Sequence, residues 1–235
     1  MRSYFYCTCF ILLCLSQPVY SEKKIVYMTV AKGGSHLIQK AIGLITEKPF
    51  RELPSPEDFY KKAPALLDPN DPSIIHHHLA AGYELIRCDT SGKFSIVVMI
   101  RDPRDVIVSM MEWIKVIGDT PLAIEFVKLP QEIQIAEIIE HPDLNMNGIG
   151  MFSAIFDTKA SLQEALKWIN NPSVLLCRFE DLVGPLGGGS RIKQLETIRS
   201  LAIHLGEDLS EQKIEEISDS LFGDTFTLIS RENYT

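Results

Sequence analysis

KIVYMTVAKGGSHLIQKAIGL, residues 24–44, is the stretch that decides the fold. A β-branched run ends at Ala31, two glycines follow it, and a helical pattern starts after Ser35. A strand–loop–helix of this kind turns several backbone N–H groups toward one spot, and the N-terminus of the helix adds the positive end of its dipole. Lys32 brings a full positive charge to the same place. The stretch therefore predicts a site for an anion, above all a phosphate group, at the end of the first strand.

Length, composition and charge limit the class of protein. The 235 residues suit one α/β domain, with room for a small helical insert, and 46% hydrophobic residues are enough for a sizeable core. The net charge of −8 argues against a general nucleic-acid or membrane-surface binder. An anionic ligand must then be held by local positive groups and not by the overall field.

Strand and helix patterns alternate along the rest of the chain. Residues 94–101, FSIVVMIR, are apolar on both faces, which is typical of a buried parallel strand. A proline-rich loop is predicted over residues 49–72. The other predicted elements are strands at 73–79 and 173–180 and helices at 103–116, within 121–170, near 191–205 and near 209–221. This order predicts an α/β fold with a parallel sheet covered by helices on both faces.

The first 21 residues have the pattern of a secretory signal peptide. An apolar run from Tyr4 to Leu15 follows Arg2, and Val19 and Ser21 occupy the small-residue positions of a cleavage site. The run is short for a membrane span. We expect residues 1–21 to be a cleaved signal that exports the chain to a periplasm, a secretory lumen or the exterior. The alternatives are an uncleaved anchor or a misassigned start codon, the latter giving a cytoplasmic protein.

Cysteine usage does not indicate a disulfide framework. Cleavage after Ser21 would remove three of the five cysteines and leave Cys88 and Cys177. Cys177 lies inside the strand-like run VLLCRFE, so we expect a buried, unreactive thiol there.

A second motif, VVMIRDPRDVIVS, follows the strand at 94–101. Arg101 ends that strand at the edge of the sheet where ligands of open α/β folds bind. Asp102 suits a helix N-cap before Pro103, and Ser109 lies two turns into the helix. An arginine fork and a hydroxyl suit a phosphate group, but an ion pair between Arg101 and Asp102 or Asp105 is the alternative.

Three consecutive histidines, His76 to His78, lie in the strand at 73–79. His76 and His78 share one face of the strand, and His77 points to the other. The pair could ligate a metal, although the sequence offers no obvious third and fourth ligand. A general base at the end of the strand and a hydrogen-bonded or solvated imidazole are the other interpretations.

Taken together, these motifs resemble the PAPS-dependent sulfotransferases. The loop AKGGSHL is similar to the family's P-K-S-G-T-T-W, and RDPRDVIVS is similar to R-N-P-K-D-V-A-V-S. His78 in HHHL aligns with the histidine of K-T-H-L, and RFEDL at Arg178–Leu182 is similar to R-Y-E-D-L. The resemblance extends from Lys24 to Ser230.

The resemblance implies a P-loop-NTPase-like three-layer fold, in which helices flank a central parallel sheet. Family members move a sulfonate group from 3′-phosphoadenosine 5′-phosphosulfate (PAPS), a donor co-substrate, to a hydroxyl or an amine. It implies no metal, and a small molecule, a glycan or a peptide as acceptor. No nucleic-acid partner is expected, nor a stable membrane span after signal cleavage.

The resemblance also implies a role for each matching residue. Lys32 would neutralise charge on the leaving oxygen, His78 would take the proton of the acceptor, and Ser109 would join Arg101 on the 3′-phosphate. Lys32, His78 and Ser109 are therefore the catalytic candidates. The candidates for donor binding are Lys32, Gly33, Gly34, Ser35, His36, Leu37, Arg101, Ser109 and Phe179.

The sequence departs from the family pattern at four places, one of which is His76 in place of the lysine of K-T-H-L, so that the base could be shifted by a residue or two from His78. Leu37 stands where many members have an adenine-stacking tryptophan, and Phe179 lacks the hydroxyl of the family tyrosine. The chain ends at FTLISRENYT, whereas the family continues to R-K-G-x-x-G-x-W, so we expect a domain at 22–235 without the usual C-terminal segment. The alternative is a degenerate fold that binds a nucleotide or a partner without turnover. A P-loop kinase or NTPase is disfavoured, because the loop lacks G-x-x-x-x-G-K-[ST].

Overall fold

The computed structural model describes residues 23–51, 74–78, 94–116, 121–140, 163, 165–168, 171 and 173–222. Within them, five parallel strands form one sheet in the order β2-β3-β1-β4-β5. The strands are β1 (Lys24–Thr29), β2 (Phe50–Arg51), β3 (Ile74–His78), β4 (Phe94–Ile100) and β5 (Val174–Arg178). The predicted α/β class with a central parallel sheet is confirmed.

All the described helices but the short one at Phe179–Leu182 follow the strands as the sequence predicts. The helix after β4 begins at Pro103 and ends at Val116, as expected, and its start is capped by Asp102, whose carboxylate accepts the N–H of Arg104 at 2.9 Å. The helices are α1 (Ser35–Thr46), α2 (Pro103–Val116), α3 (Pro121–Lys128), α4 (Gln131–Glu140), α5 (Phe179–Leu182), α6 (Arg191–Leu205) and α7 (Glu211–Leu221).

The sheet register brings the ends of its middle strands together. Every residue of β1 is buried, and Thr29 pairs with His78 of β3 on one side and Met99 of β4 on the other. Because parallel strands end at the same edge, the loop after β1 and the residues after β4 meet there. The two motifs that the sequence singles out are therefore neighbours.

Each face of the sheet is covered by its own apolar core. On one face, side chains of β1, β3 and β4 pack with α1, α6 and α7; the largest fully buried ones include Tyr27, Ile38, Ile42, Ile74, Met99 and Leu182. On the other face, Val26, Met28 and Val98 pack with Val106 of α2 and with Trp168 of the helical residues 165–168. This arrangement is the helix–sheet–helix layering that the alternation of elements predicts.

Two elements differ from expectation. The strand predicted over residues 173–180 ends at Arg178, and Phe179–Leu182 form the short helix α5. The first turn of α5 carries the acidic Glu180 and Asp181, which suit a helix N-terminus.

The sequence predicts a loop over residues 49–72, but Phe50–Arg51 form β2 and pair with β3 at the edge of the sheet. A two-residue strand is too short to show a hydrophobic period, so the sequence alone could not reveal it. Residues 52–73, 141–162 and 223–235, like the leader at 1–21 and Cys88, lie outside the described residues.

The burial predicted for Cys177 is confirmed. It is a buried free thiol in β5, and removal from solvent, with a smaller effect of Asp181, raises its pKa to about 12. Within the described residues, no helix combines the length and the apolar character needed to cross a bilayer.

Candidate functional site

The loop after β1 is a tight turn built on two glycines. The N–H of Gly33 donates to Val30 O at 2.8 Å, and a Cβ on Gly33 would lie only 2.7 Å from that oxygen. Lys32 and Gly34 both adopt the left-handed region, at φ 61° and 100°. Lys32 thus holds a conformation that non-glycine residues rarely adopt, which is a feature of functional loops.

Gly34 is the N-cap of α1 and packs against an aromatic ring. A Cβ there would lie 2.5 Å from Cδ2 of Phe179 and 3.1 Å from Cε of Met99. The Phe179 ring in turn lies under a guanidinium, with Cζ of Arg101 4.1 Å from the ring centroid. The Phe179 ring therefore packs between the loop and Arg101, and only glycine fits at position 34.

Arg101 connects the two motifs. Its Nη1 donates to the carbonyl oxygen of Lys32 at 3.2 Å. Its Nε is buried and, among the described residues, has no hydrogen-bond partner. Burial lowers the pKa of the guanidinium, while the nearby charges of Asp105 and Glu180 oppose that shift. A buried donor of this kind calls for an acceptor, and an anionic ligand would supply one.

The acidic residue beside Arg101 is engaged elsewhere. Asp102 accepts hydrogen bonds from Nε of Arg104 at 3.0 Å and from Nη2 at 2.5 Å, and these bonds lower its pKa to about 2. The alternative interpretation is an ion pair of Arg101 with Asp102 or Asp105. The described residues show no such ion pair, although the charge of Asp105 acts on the pKa of Arg101. Arg101 instead binds the loop.

Glu180 is a site residue that the sequence analysis did not single out. Its Oε1 accepts the backbone N–H of Asp102 at 2.6 Å, which ties the end of β5 to the start of α2. Its Oε2 is buried and has no hydrogen-bond partner among the described residues, although Nε of Arg178 lies 3.6 Å away. An acidic residue two positions after a strand of the same sheet edge was the available signal.

One face of α2 completes the site. Nζ of Lys32 lies 5.5 Å from the centroid of the Trp113 ring, and Ser109 is one turn before Trp113 on the same helix. Residues four apart on a helix share a face, so the half-buried Ser109 lies on the side of α2 that carries this contact. Trp113 also escaped the sequence analysis, where its spacing from Ser109 was the only signal.

The loop amides divide into two groups. Gly33 donates to Val30 O, and Leu37 donates to Gly34 O at 3.0 Å, so these two N–H groups already serve the turn. The Leu37 side chain is 6% exposed and belongs to the core, which turns it away from any stacking role. The amides of Gly34 and Ser35, at the start of α1, have no intrahelical acceptor, and they are placed to bind an anion. The half-buried His36 follows them in the first turn.

The histidines of β3 are only partly described. The His76 ring stacks on Tyr27, with centroids 4.6 Å apart, and lies within 3.2 Å of the Thr29 hydroxyl, which matches the hydrogen-bonded interpretation. The backbone of His78 lies at the end of β3 beside Thr29, while the side chains of His77 and His78 lie outside the description. In the described part of the chain, no cluster of three or more His, Cys, Asp or Glu residues is arranged to hold a metal.

Comparison with known families accounts for this arrangement of loop, arginine and helix face. Residues 22–222 match the family described as "Sulfotransferase domain". The chain belongs to that family. A search of curated protein sequences gives no match. The resemblance drawn from the four motifs is therefore confirmed.

A solved structure shows the same fold. The chain is similar to the crystal structure of mouse sulfotransferase SULT7A1 complexed with PAP, with 20% identity and a TM-score of 0.57. The match covers 88% of this chain and 66% of that one, so the chain spans just under two thirds of its length. The likeness confirms the P-loop-NTPase-like sulfotransferase fold inferred from the motifs.

Proposed function

We propose that this sulfotransferase-family chain transfers a sulfonate group from PAPS to a hydroxyl or amine acceptor. One observation carries the proposal: Arg101 donates to the carbonyl of Lys32 and keeps a buried Nε, without a partner among the described residues, at the same edge of the sheet. The Arg101 side chain is thereby fixed against the backbone of Lys32, a residue far from it in sequence that also carries a positive charge. A nucleotide with phosphate groups at two positions is a ligand that uses both residues.

The described residues fit the donor. The amides of Gly34 and Ser35 at the start of α1 would hold the 5′-phosphate, where the turn leaves no room for a Cβ. Arg101 and Ser109 would hold the 3′-phosphate, with Nε of Arg101 finding its acceptor there. Phe179, which has no hydroxyl, would support the site through the Arg101 guanidinium and not through a polar contact with adenine.

The proposed reaction is an in-line displacement at sulfur. The acceptor oxygen or nitrogen forms a bond to sulfur as the bond from sulfur to the bridging phosphate oxygen breaks, and the bonding pair leaves with that oxygen. The Lys32 ammonium stabilises the charge that develops there, and His78, at the end of β3, takes the proton of the acceptor. The products are adenosine 3′,5′-bisphosphate and the sulfated acceptor, which is a small molecule, a glycan or a peptide.

Calorimetry with adenosine 3′,5′-bisphosphate on the full chain tests the donor site. We expect micromolar binding that weakens by at least about tenfold in Arg101→Ala, since the guanidinium contributes a charge-assisted bond. Arg104→Ala is the matched control: it removes an arginine from the same motif whose side chain is 88% exposed, and binding should not change. ATP serves as the comparison ligand for an NTPase. Absence of bisphosphate binding, or equal binding by Arg101→Ala, would contradict the proposal.

We further propose that residues 1–21 export the chain into a compartment where the donor is present. The support is the apolar run that ends in a small-residue cleavage pattern. Fractionation of cells that express the full chain, with mass spectrometry of its N-terminus, tests this. A mature N-terminus at Glu22 in an exported fraction is expected, and full-length chain in the cytosol would overturn it.

A further inference from the structure

Lys32, the residue that carries charge to the phosphate loop, is held at both ends. Its carbonyl accepts from Arg101 at 3.2 Å, and its Nζ lies 5.5 Å from the centroid of the Trp113 ring. That separation is inside the range of roughly 6 Å over which an ammonium is attracted to an aromatic face. The backbone contact fixes where the side chain starts, and the ring fixes where its charge comes to rest.

Trp113 is itself held by the packing of α2. Three of its helix neighbours, Met110, Met111 and Ile114, are buried in a cluster with Ala31, the residue directly before Lys32. Trp113 is half-buried and packs against the same cluster. The loop and the helix face are therefore joined by one apolar contact, so the ring cannot drift away from the loop without disturbing that cluster.

We infer that Trp113 is a positioning residue that holds the Lys32 ammonium in place and directs it at the donor phosphates. This inference rests on the proposed sulfotransferase function. A flexible lysine loses much rotamer freedom when its charge must occupy one place, and a partner that is already in position reduces that loss during the reaction.

An aromatic face suits this task better than a carboxylate does. A carboxylate would neutralise the ammonium and would compete with an anionic donor for it. A cation–π contact attracts an ammonium more weakly than an ion pair does, so a phosphate oxygen can take the ammonium over from the ring. Ser109, one turn before Trp113 on the same helix, places the predicted phosphate contact beside this resting position.

The first experiment asks whether the contact exists in solution. The chain has two tryptophans, so Trp168→Phe leaves Trp113 as the only emitter. We expect Lys32→Met to change the emission of Trp113, whereas Lys115→Met, which removes a lysine paired with Glu112 on the surface of α2, should not. Trp168 is buried, so if its replacement prevents folding, difference spectra in the parent chain give the same comparison. Equal emission in the Lys32→Met protein and its parent would overturn the inference.

The second experiment asks whether the contact positions the lysine for transfer. We expect Trp113→Leu to lower kcat by about three- to tenfold with little change in the KM for PAPS, and Trp113→Phe to recover most of the rate because it keeps an aromatic face. A purely structural role would lower the thermal stability and the kcat of both variants together. Equal losses in the two variants would therefore overturn the inference.

The two proposals fail in different ways. If bisphosphate binds and depends on Arg101, yet Trp113 emission does not depend on Lys32, the donor site stands and the positioning role falls. If bisphosphate does not bind at all, the proposed function falls, and the emission comparison alone decides the contact between Lys32 and Trp113.

Discussion

Two polar regions of this molecule differ in how well their groups are paired. In the α6–α7 network, formed by Arg191, Gln194, Ser218 and Asp219, the Ser218 hydroxyl donates to Gln194 Oε1 and accepts from Arg191, while Nη2 of Arg191 pairs with Asp219 at 2.7 Å. At the carboxyl edge of the sheet, Nε of Arg101 and Oε2 of Glu180 are buried without a hydrogen-bond partner among the described residues.

This difference distinguishes polar groups that stabilise the fold from polar groups that could bind a ligand. Leaving a buried polar group unpaired costs about 1–3 kcal/mol, a cost that the α6–α7 network avoids by pairing its groups. The site keeps one buried donor, Nε of Arg101, that an anionic ligand could satisfy, whereas Oε2 of Glu180 faces the cationic Nε of Arg178 at 3.6 Å. Each region also contains a left-handed glycine pressed against a side chain, Gly34 on Phe179 and Gly184 on Gln194. The same substitution can therefore be made in both.

The largest effect is expected from removing the charge of the loop. Lys32→Met should lower kcat by about 100- to 1,000-fold, because the ammonium no longer stabilises the leaving oxygen. Steady-state kinetics with PAPS measure it, and Lys115→Met is the matched control, since that lysine pairs with Glu112 on the exposed side of α2. Thermal stability should remain near that of the parent chain. A loss of rate below about threefold would remove Lys32 from the chemistry.

The next effect is expected at Gly34. An alanine there would need φ 100° and would place its Cβ 2.5 Å from Phe179, so the ring would shift and take Arg101 with it. We expect the Kd for adenosine 3′,5′-bisphosphate to rise by at least about tenfold, or about 1.4 kcal/mol. Gly206→Ala is the control, because Gly206 has φ 83° and a methyl group added there would meet nothing within 4 Å, so it adds strain far from the site. Unchanged affinity in Gly34→Ala would show that the packing of Phe179 between the loop and Arg101 does not support the donor site.

A substitution in the α6–α7 network should have the opposite signature. In Gly184→Ala the new Cβ would lie 2.4 Å from the amide group of Gln194, which is 2% exposed and bound to Ser218. We expect the free energy of unfolding to fall by about 2–4 kcal/mol, from strain and a broken buried network, while bisphosphate affinity stays unchanged. Denaturant titration measures the stability.

Gly188→Ala controls for backbone strain in the same loop. Gly188 has φ 87° and open space around a Cβ, so it should lose only about 1 kcal/mol. If Gly184→Ala lost no more stability than Gly188→Ala, the α6–α7 network would contribute little to the fold. If it weakened bisphosphate binding as well, the two regions would not be separate.

Much of the fold could be predicted from the sequence because its signals are local. Three elements can be identified from a few neighbouring residues each: the β-branched run before Gly33, the buried strand before Arg101 and the helix start at Asp102–Pro103. The rule that ligands bind where parallel strands end then places Lys32 and Arg101 at one edge. The two-residue strand at Phe50–Arg51 has no such local signal.

The contacts that define the site are long-range and have no sequence pattern. The carbonyl of Lys32 accepts from Arg101, and its ammonium meets Trp113, although β2, β3 and β4 lie between Lys32 and both partners in the sequence. The role of Glu180 depends on β5 pairing with β4, which no periodicity specifies. Residue type and order identify the charged groups, whereas only the packed structure shows which of them touch.

The smallest expected effect concerns His204, near the C-terminal end of α6. It tests whether the polar groups there are also paired and shielded from water. The ring N–H of His204 at Nε2 donates to Ile96 O at 2.9 Å, and burial lowers the pKa of the ring, against the opposing effect of that bond. The folded state then binds a proton less readily than the unfolded state. The contribution of the neutral ring to stability is complete above the unfolded pKa, near 6.5, and is lost as the pH falls through the lower folded value.

Urea titrations between pH 7.5 and pH 5 should therefore show stability falling with pH in the parent chain, by no more than about 1.4 kcal/mol per pH unit for this group. His204→Gln keeps a donor for Ile96 O but cannot titrate, so its curve should fall less steeply, and the difference between the two curves isolates His204 from the other histidines. Parallel curves would mean that the ring is as well solvated in the folded chain as in the unfolded one. The end of α6 would then be open to water. The contrast between well-paired polar groups and the site at the carboxyl edge of the sheet would hold only for the contacts between Arg191 and Ser218.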